Sequence, residues 1–207
     1  AAAADLITLY ISLELTSISL YVLVSFLKDR NSTEASLKYL LLGATASAVL
    51  LYGMSLVFGV TGSTHLGGIA QALQGFGFTG VMDSPALLLG IVLMIAGFGF
   101  KIAAVPFQMW VPDVYEGAPT TVTAYLSVGS KAAGFALILR VFYTAFGMPG
   151  WLSDNWAMIF AGLAVASMII GNVAAIPQAN IKRMLGYSSI AQAGYLMVGL
   201  ATLGVAS

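Results

Sequence analysis

Cysteine is absent from the chain. Disulfides, thiolate metal sites and iron–sulfur clusters held by these residues are therefore excluded. Histidine occurs once, at His65, and cannot make a metal site by itself. Charge is nearly as scarce. Only 8% of the 207 residues are Asp, Glu, Lys or Arg, against about 25% in an ordinary soluble domain. Eight basic residues balance eight acidic ones, which argues against nucleic acid as a partner and against a polybasic membrane-surface protein. No phosphate-binding loop and no nucleophile–base constellation is visible. The glycines of Gly75–Gly80 have a spacing that suggests a dinucleotide fingerprint, but they follow no strand, so that reading is rejected. The chain starts at Ala rather than Met and runs straight into an apolar segment without a charged n-region, so it reads as an internal piece of something longer.

What is present is apolar surface: 59% of the residues are hydrophobic. There is too little polar side chain to cover a water-exposed globule, so the sequence predicts an integral membrane protein. A helical span needs about 20 apolar residues. Six candidate spans follow, roughly 3–27, 36–60, 86–105, 120–146, 156–176 and 185–206. They are too long and too continuously apolar for barrel strands, so the expected fold is all-α. Lys28, Arg30 and Lys38 flank the first connection, and Lys182 and Arg183 flank the fifth, whereas 61–84 contains neither Lys nor Arg. The positive-inside rule then places the first, third and fifth connections in the cytoplasm. The Gly-, Ser- and Thr-containing stretch 61–84 reads as a flexible outer loop, and the Trp and Tyr residues near span ends read as interface anchors.

Four ionisable residues stand out against this background. Glu14 is near the middle of the first span, and helical spacing puts Tyr10, Glu14, Ser17 and Tyr21 on one face. Its bland reading is a glutamate at a frayed helix end. Lys101 precedes Pro106, which removes an N–H and leaves the Ile102 carbonyl without its helical partner. A broken helix in a membrane is tolerated where it is buried in protein or lines a wet cavity. The alternative for Lys101 is snorkelling to the interface. Lys131 stands roughly 16 Å inside its span at the helical rise, on a face with the small residues Ala124, Ser127 and Gly134. A lysine at that depth costs roughly 2.5–3.5 kcal/mol on insertion scales, which favours a functional role. For Lys38, a few residues into the second span, snorkelling and function stand even. Arg140 reads as an anchor. Paired carboxylate and ammonium groups suit proton transfer, because making and breaking their contact changes how tightly the lysine holds its proton.

The segments F-K-I-A-A-V-P-F-Q-M-W-V-P-D-V-Y-E-G-A-P-T, L-S-V-G-S-K-A-A-G-F-A-L, E-A-S-L-K-Y-L-L-L-G-A and N-I-K-R-M-L-G-Y-S-S-I-A-Q-A-G-Y resemble the antiporter-like subunit N family of respiratory complex I, the proton-pumping NADH–quinone oxidoreductase. Mitochondrial subunit 2 and its counterpart in the photosynthetic NDH complex are relatives of that family. The resemblance implies a multi-span helical bundle with a discontinuous helix, part of an inverted-repeat antiporter-like fold. Residues 1–176 would hold most of the first repeat plus one further span, and 177–207 a further span of the second. It also implies that Glu14, Lys38, Lys101 and Lys131 carry protons along a hydrated axis. Pro106 would mark the helix break. NADH, flavin, iron–sulfur clusters and quinone would be bound by other subunits, with no cofactor or metal in this chain. Its partners would be other membrane-arm subunits and the lipid of a bacterial inner membrane or an equivalent energy-transducing membrane. The family's twelfth-span lysine has no counterpart here. Gln108 and Gln192 stand where the family usually has His, and Gln does not titrate, so the resemblance does not carry over a relay through imidazole; Thr121 replaces a usual Pro. Two other readings compete: an Mrp-type cation/proton antiporter subunit, and a non-pumping helical spacer.

Overall fold

Lipid offers the backbone no hydrogen-bond partners, so long apolar runs close their bonds internally as helices. The computed structural model describes residues 2–147 and 151–205, with side chains at all of these but 77–79, 81, 82, 151 and 203–205. In chain order it contains α1 (Leu6–Val24), α2 (Arg30–Thr61), α3 (Leu66–Met82), α4 (Pro85–Ile102), α5 (Trp110–Gly117), α6 (Thr120–Tyr125), a π-helical turn (Leu126–Ser130), α7 (Lys131–Thr144), α8 (Trp151–Ala175) and α9 (Ile181–Val205). The fold is an all-α membrane bundle with a discontinuous helix. Among the described residues, five segments are long and apolar enough to cross a bilayer: α1, α2, α4, the Thr120–Thr144 run and most of α8. The sixth expected span corresponds to α9, 25 residues long. It packs antiparallel along α8, with Gly171 set against the backbone of Tyr187 and Ala191.

Two connections differ from the sequence reading. The stretch read as a flexible loop, 61–84, contains α3. Leu66, Ile69 and Leu73 recur at helical spacing and are buried in the core. The segment before α3 is tied to the start of α1 by Leu6 N–H to the Thr64 carbonyl (2.9 Å) and Leu66 N–H to the Ala4 carbonyl (3.0 Å). Because α2 and α4 run antiparallel, α3 begins and ends at the same end of the bundle. It caps that end and does not cross. The second difference lies between α4 and α6. The residues following the break form α5, whose Trp110, Val111, Val114 and Tyr115 are buried. Pro112 sits in its first turn, where the missing N–H has no intrahelical partner to lose.

Two of the tryptophans near span ends also serve differently from expectation. Trp110 stacks on Tyr39 with ring centroids 4.6 Å apart, and Trp156 is buried and donates its indole N–H to the Phe146 carbonyl at 3.1 Å. Both are core residues, because the bundle closes around its indoles at these depths. The Trp151 side chain lies outside the described residues.

Candidate functional site

The helix break is built by α4 and sealed by its neighbours. Ala103 takes the left-handed conformation (φ 61°). Its N–H bonds the Phe100 carbonyl (3.1 Å) and the Ala104 N–H bonds the Gly99 carbonyl (2.8 Å), which terminates the helix as a Schellman-type cap. The Trp110 indole N–H also donates to the Phe100 carbonyl at 3.0 Å. Ser167 on α8 accepts the Val105 N–H at 2.9 Å. Freed backbone groups are thus bonded by protein, as a break at membrane depth requires.

Lys101, in the last turn before this break, is 7% exposed. Its ammonium donates to the Ser17 hydroxyl at 2.6 Å and stands 4.0 Å from Glu14 Oε1. Ser47 on α2 donates to that same carboxylate oxygen. The face read from the sequence, Glu14 with Ser17, therefore meets the broken helix. A cavity of about 490 Å³ adjoins Lys101; Thr8, Ser12, Thr16 and Ser17 of α1 line it, and it extends to Ala2 and Ala3 at the α3-capped end.

Lys131 follows directly on the π-helical turn and is 5% exposed. It donates to the Ser189 carbonyl at 2.7 Å and to the Ser189 hydroxyl at 2.9 Å, both on α9. A second cavity, about 580 Å³, contains Lys131 and Gln192 and reaches Thr120 and Lys182 at the opposite end of the bundle. The π-helical turn stands between the two cavities: Ser130 lines the first, Ser127 and Val128 the second. A side chain at Gly134, the next turn after Lys131, would meet Ile102 Cγ2 at 2.9 Å and Lys101 Cβ at 3.9 Å. The two lysines thus lie on helices in contact. Neither the π turn nor Ser189 carries a signal in the sequence.

Lys38 belongs to a different constellation. Its side chain is 45% exposed and pairs with Glu34 (2.9 Å) and Asp113 (2.9 Å). Arg183 bonds Asp113 (2.6 Å) and Glu116 (2.9 Å). Lys182 Nζ donates to the Ala118 carbonyl at 2.8 Å, just past the end of α5. These groups clamp α5 between α2 and α9 and surround a polar recess of about 210 Å³. They also bring the first and fifth connections to one end, as the distribution of basic residues suggests. Arg140, near the other end, donates to the Ala3 carbonyl at 2.6 Å.

Partial burial works against the Asp113 carboxylate, but hydrogen bonds and charge from Lys38 and Arg183 outweigh it and hold its carboxyl below the usual carboxylate range. A depressed folded-state value stabilises the fold above the unfolded value and loses that effect as pH falls towards the folded one. Asp113→Asn is therefore expected to lower thermal stability in detergent at neutral pH by at most about 1 kcal/mol, because the pairs are partly solvent-screened. The wild-type and variant melting curves are expected to converge below about pH 4.

Residues 3–207 match the family described as NADH:quinone oxidoreductase/Mrp antiporter, TM. The chain is 58% identical over 207 residues to NADH-quinone oxidoreductase subunit N of Dehalococcoides mccartyi, covering 99% of this chain and 42% of that protein. It therefore spans about two fifths of the length of such relatives. A chain of respiratory complex I from Thermus thermophilus superimposes with a TM-score of 0.79 at 38% identity, covering 98% of this chain and 42% of that one. A chain of the Mrp complex from Dietzia sp. gives a TM-score of 0.81 at 22% identity, with 96% and 36% covered, a likeness of fold alone. The broken α4–α5 helix, the antiparallel bundle and the match along 3–207 establish that the chain belongs to the NADH:quinone oxidoreductase/Mrp antiporter transmembrane family.

Proposed function

We propose that this chain is part of a proton-translocating membrane-arm subunit of an NADH–quinone oxidoreductase, and that Glu14, Lys101 and Lys131 carry the protons. The observation that carries this reading is the contact of buried Lys101 with part-buried Glu14 at the helix break, 4.0 Å across. An apolar bundle has no structural need of a charge there, since a well-packed hydrophobic pair is often at least as stable as a buried ion pair. The two cavities, whose largely apolar walls carry several hydroxyl groups, support it. One leads from Lys101 towards the α3-capped end and the other from Lys131 towards the basic end, so protons would be exchanged with the two sides through different lysines. Lys38 would act in this reading at the rim, passing charge between Glu34 and Asp113. Gln108 and Gln192 do not titrate, so water and lysine would take the place of imidazole.

NADH, flavin, iron–sulfur clusters and quinone would be handled by other subunits, and redox turnover there would shift charge along the arm to the Glu14–Lys101 contact. The partners would be neighbouring membrane-arm subunits, and the location a bacterial inner membrane or its equivalent. The first inverted repeat would end with α7, and residues 151–176 would be the further span that follows it, packed against α9 as one hairpin.

The test is Lys131→Ala in the complete complex, reconstituted in liposomes. Because the partners of Lys131 are neutral, its removal strands no charge, so assembly is expected to survive. Proton translocation per quinone reduced is expected to fall severalfold. Undiminished pumping would refute the assignment. Sodium-dependent exchange without quinone reduction would move the chain to the Mrp branch of the family.

A further inference from the structure

We propose that Ser17 is a positioning residue that holds the Lys101 ammonium off the Glu14 carboxylate; the inference rests on the proton-carrying role of that pair. Ser17 lies one helical turn after Glu14 on α1, facing the same side. Its hydroxyl donates to the Leu13 carbonyl at 2.6 Å. With its hydrogen committed to the backbone, the Ser17 oxygen turns its lone pairs towards Lys101, whose ammonium has only donors to offer. The result is a 2.6 Å bond from Lys101 to a neutral oxygen, while the carboxylate stays at 4.0 Å. Ser47, buried on α2, meanwhile occupies Glu14 Oε1 as a donor. Each member of the pair thus has a neutral hydroxyl partner of its own.

Attraction between opposite charges steepens as they close in surroundings that exclude water. Among the described residues, Ser17 is the side chain that hydrogen-bonds the Lys101 ammonium. With its oxygen removed, the ammonium is free to close on Glu14 and form a contact pair. Such a pair parts less readily and gives up its proton less readily, which is the wrong property for a site that must cycle. The hydroxyl also serves after proton loss, since a neutral amine still donates to it. Other hydroxyls of α1 bond back to the helix in the same way, Ser12 to the Thr8 carbonyl and Thr16 to the Ser12 carbonyl. This is a common helical habit; Ser17 differs in having a buried lysine seated on its free face. Among the described residues, the remaining titratable groups around the pair are phenols: Tyr10 and Tyr21 on α1, and Tyr39 and Tyr125 on the cavity wall beside Lys101.

The experiment compares Ser17→Ala, Ser17→Thr and Glu14→Gln in the complete, liposome-reconstituted complex, measuring proton translocation across a pH series. Ser17→Ala is expected to cut translocation about tenfold and to move the alkaline limb of its pH profile up by about one unit. Ser17→Thr, which keeps the hydroxyl, is expected to restore both. A Ser17→Ala complex with wild-type rate and profile, alongside an inactive Glu14→Gln complex, would overturn the role of Ser17 alone. So would a Ser17→Thr complex as impaired as Ser17→Ala, since that would mark a packing effect. A fully active Glu14→Gln complex would overturn the proton-carrying reading itself.

Discussion

Lys101→Ala is expected to be the most damaging single substitution at the site, removing proton translocation by at least about a hundredfold and lowering assembly as well. The damage comes from the charge left behind. Glu14 has a side chain 25% exposed, and its remaining close partner is Ser47. Removing one member of a buried pair costs about 3–5 kcal/mol because the other charge is left uncompensated. With Glu14 partly exposed the lower end applies, and about 3 kcal/mol is a factor of roughly a hundred in the equilibrium between the intact and the disrupted bundle. The stranded carboxylate escapes this cost by drawing in water or by keeping a proton. Neither state cycles. Glu14→Gln with Lys101→Ala is therefore expected to assemble better than Lys101→Ala alone while still failing to pump. The measurements are the yield of intact complex on native gels and proton translocation in liposomes. Strictly additive effects on assembly would show that the two side chains are not coupled.

Much of this site is legible in the sequence because lipid enforces simple rules. An apolar run of span length has to be a helix, so the positions of Glu14, Lys101 and Lys131 within their runs already define their depth, and helical spacing already aligns Glu14 with Ser17. Pro106 announces the break. What stays hidden is whatever depends on a partner distant in sequence. Nothing near Lys131 points to Ser189, which the α8–α9 hairpin delivers from 58 residues away. Lys38 shows the same limit from the other side. By sequence it is one more lysine near a membrane span, and only the seating of α5 brings Asp113 to it. The α3 helix is masked by its glycines, which punctuate loops elsewhere, yet Leu66, Ile69 and Leu73 bury a stripe sufficient to fix it. The α5 helix is masked by its shortness and by Pro112. The π-helical turn has no compositional mark at all: Leu126–Ser130 would sit equally well in a regular helix.

The site is only as well placed as the contact between α2 and α4, so a substitution that parts these helices is expected to have the second large effect. At Gly53 a Cβ would lie 2.7 Å from the Gly90 carbonyl oxygen and 2.9 Å from the Met94 nitrogen. At Gly90 it would meet the Gly53 carbonyl oxygen at 3.0 Å. The obstructing atoms are backbone, so no rotamer change relieves them. In a membrane the hydrophobic effect does not drive helices together, and such close approach between small residues supplies the packing that does. Alanine ordinarily improves on glycine inside a helix by about 1 kcal/mol, but here that gain is outweighed. Gly53→Ala is expected to destabilise the bundle by about 1–3 kcal/mol. Gly53→Leu is expected to force α4 away from α2, costing at least about 3 kcal/mol and carrying Lys101 out of reach of both Ser17 and Glu14. Gly59, two turns further along α2, has nothing within 4 Å of its Cβ direction. Gly59→Ala is accordingly expected to be neutral or stabilising by up to about 1 kcal/mol. Chemical unfolding in detergent of the four proteins, wild type included, measures the contrast. If Gly53→Ala and Gly59→Ala behave alike, the α2–α4 crossing is not the contact that holds the broken helix against α1.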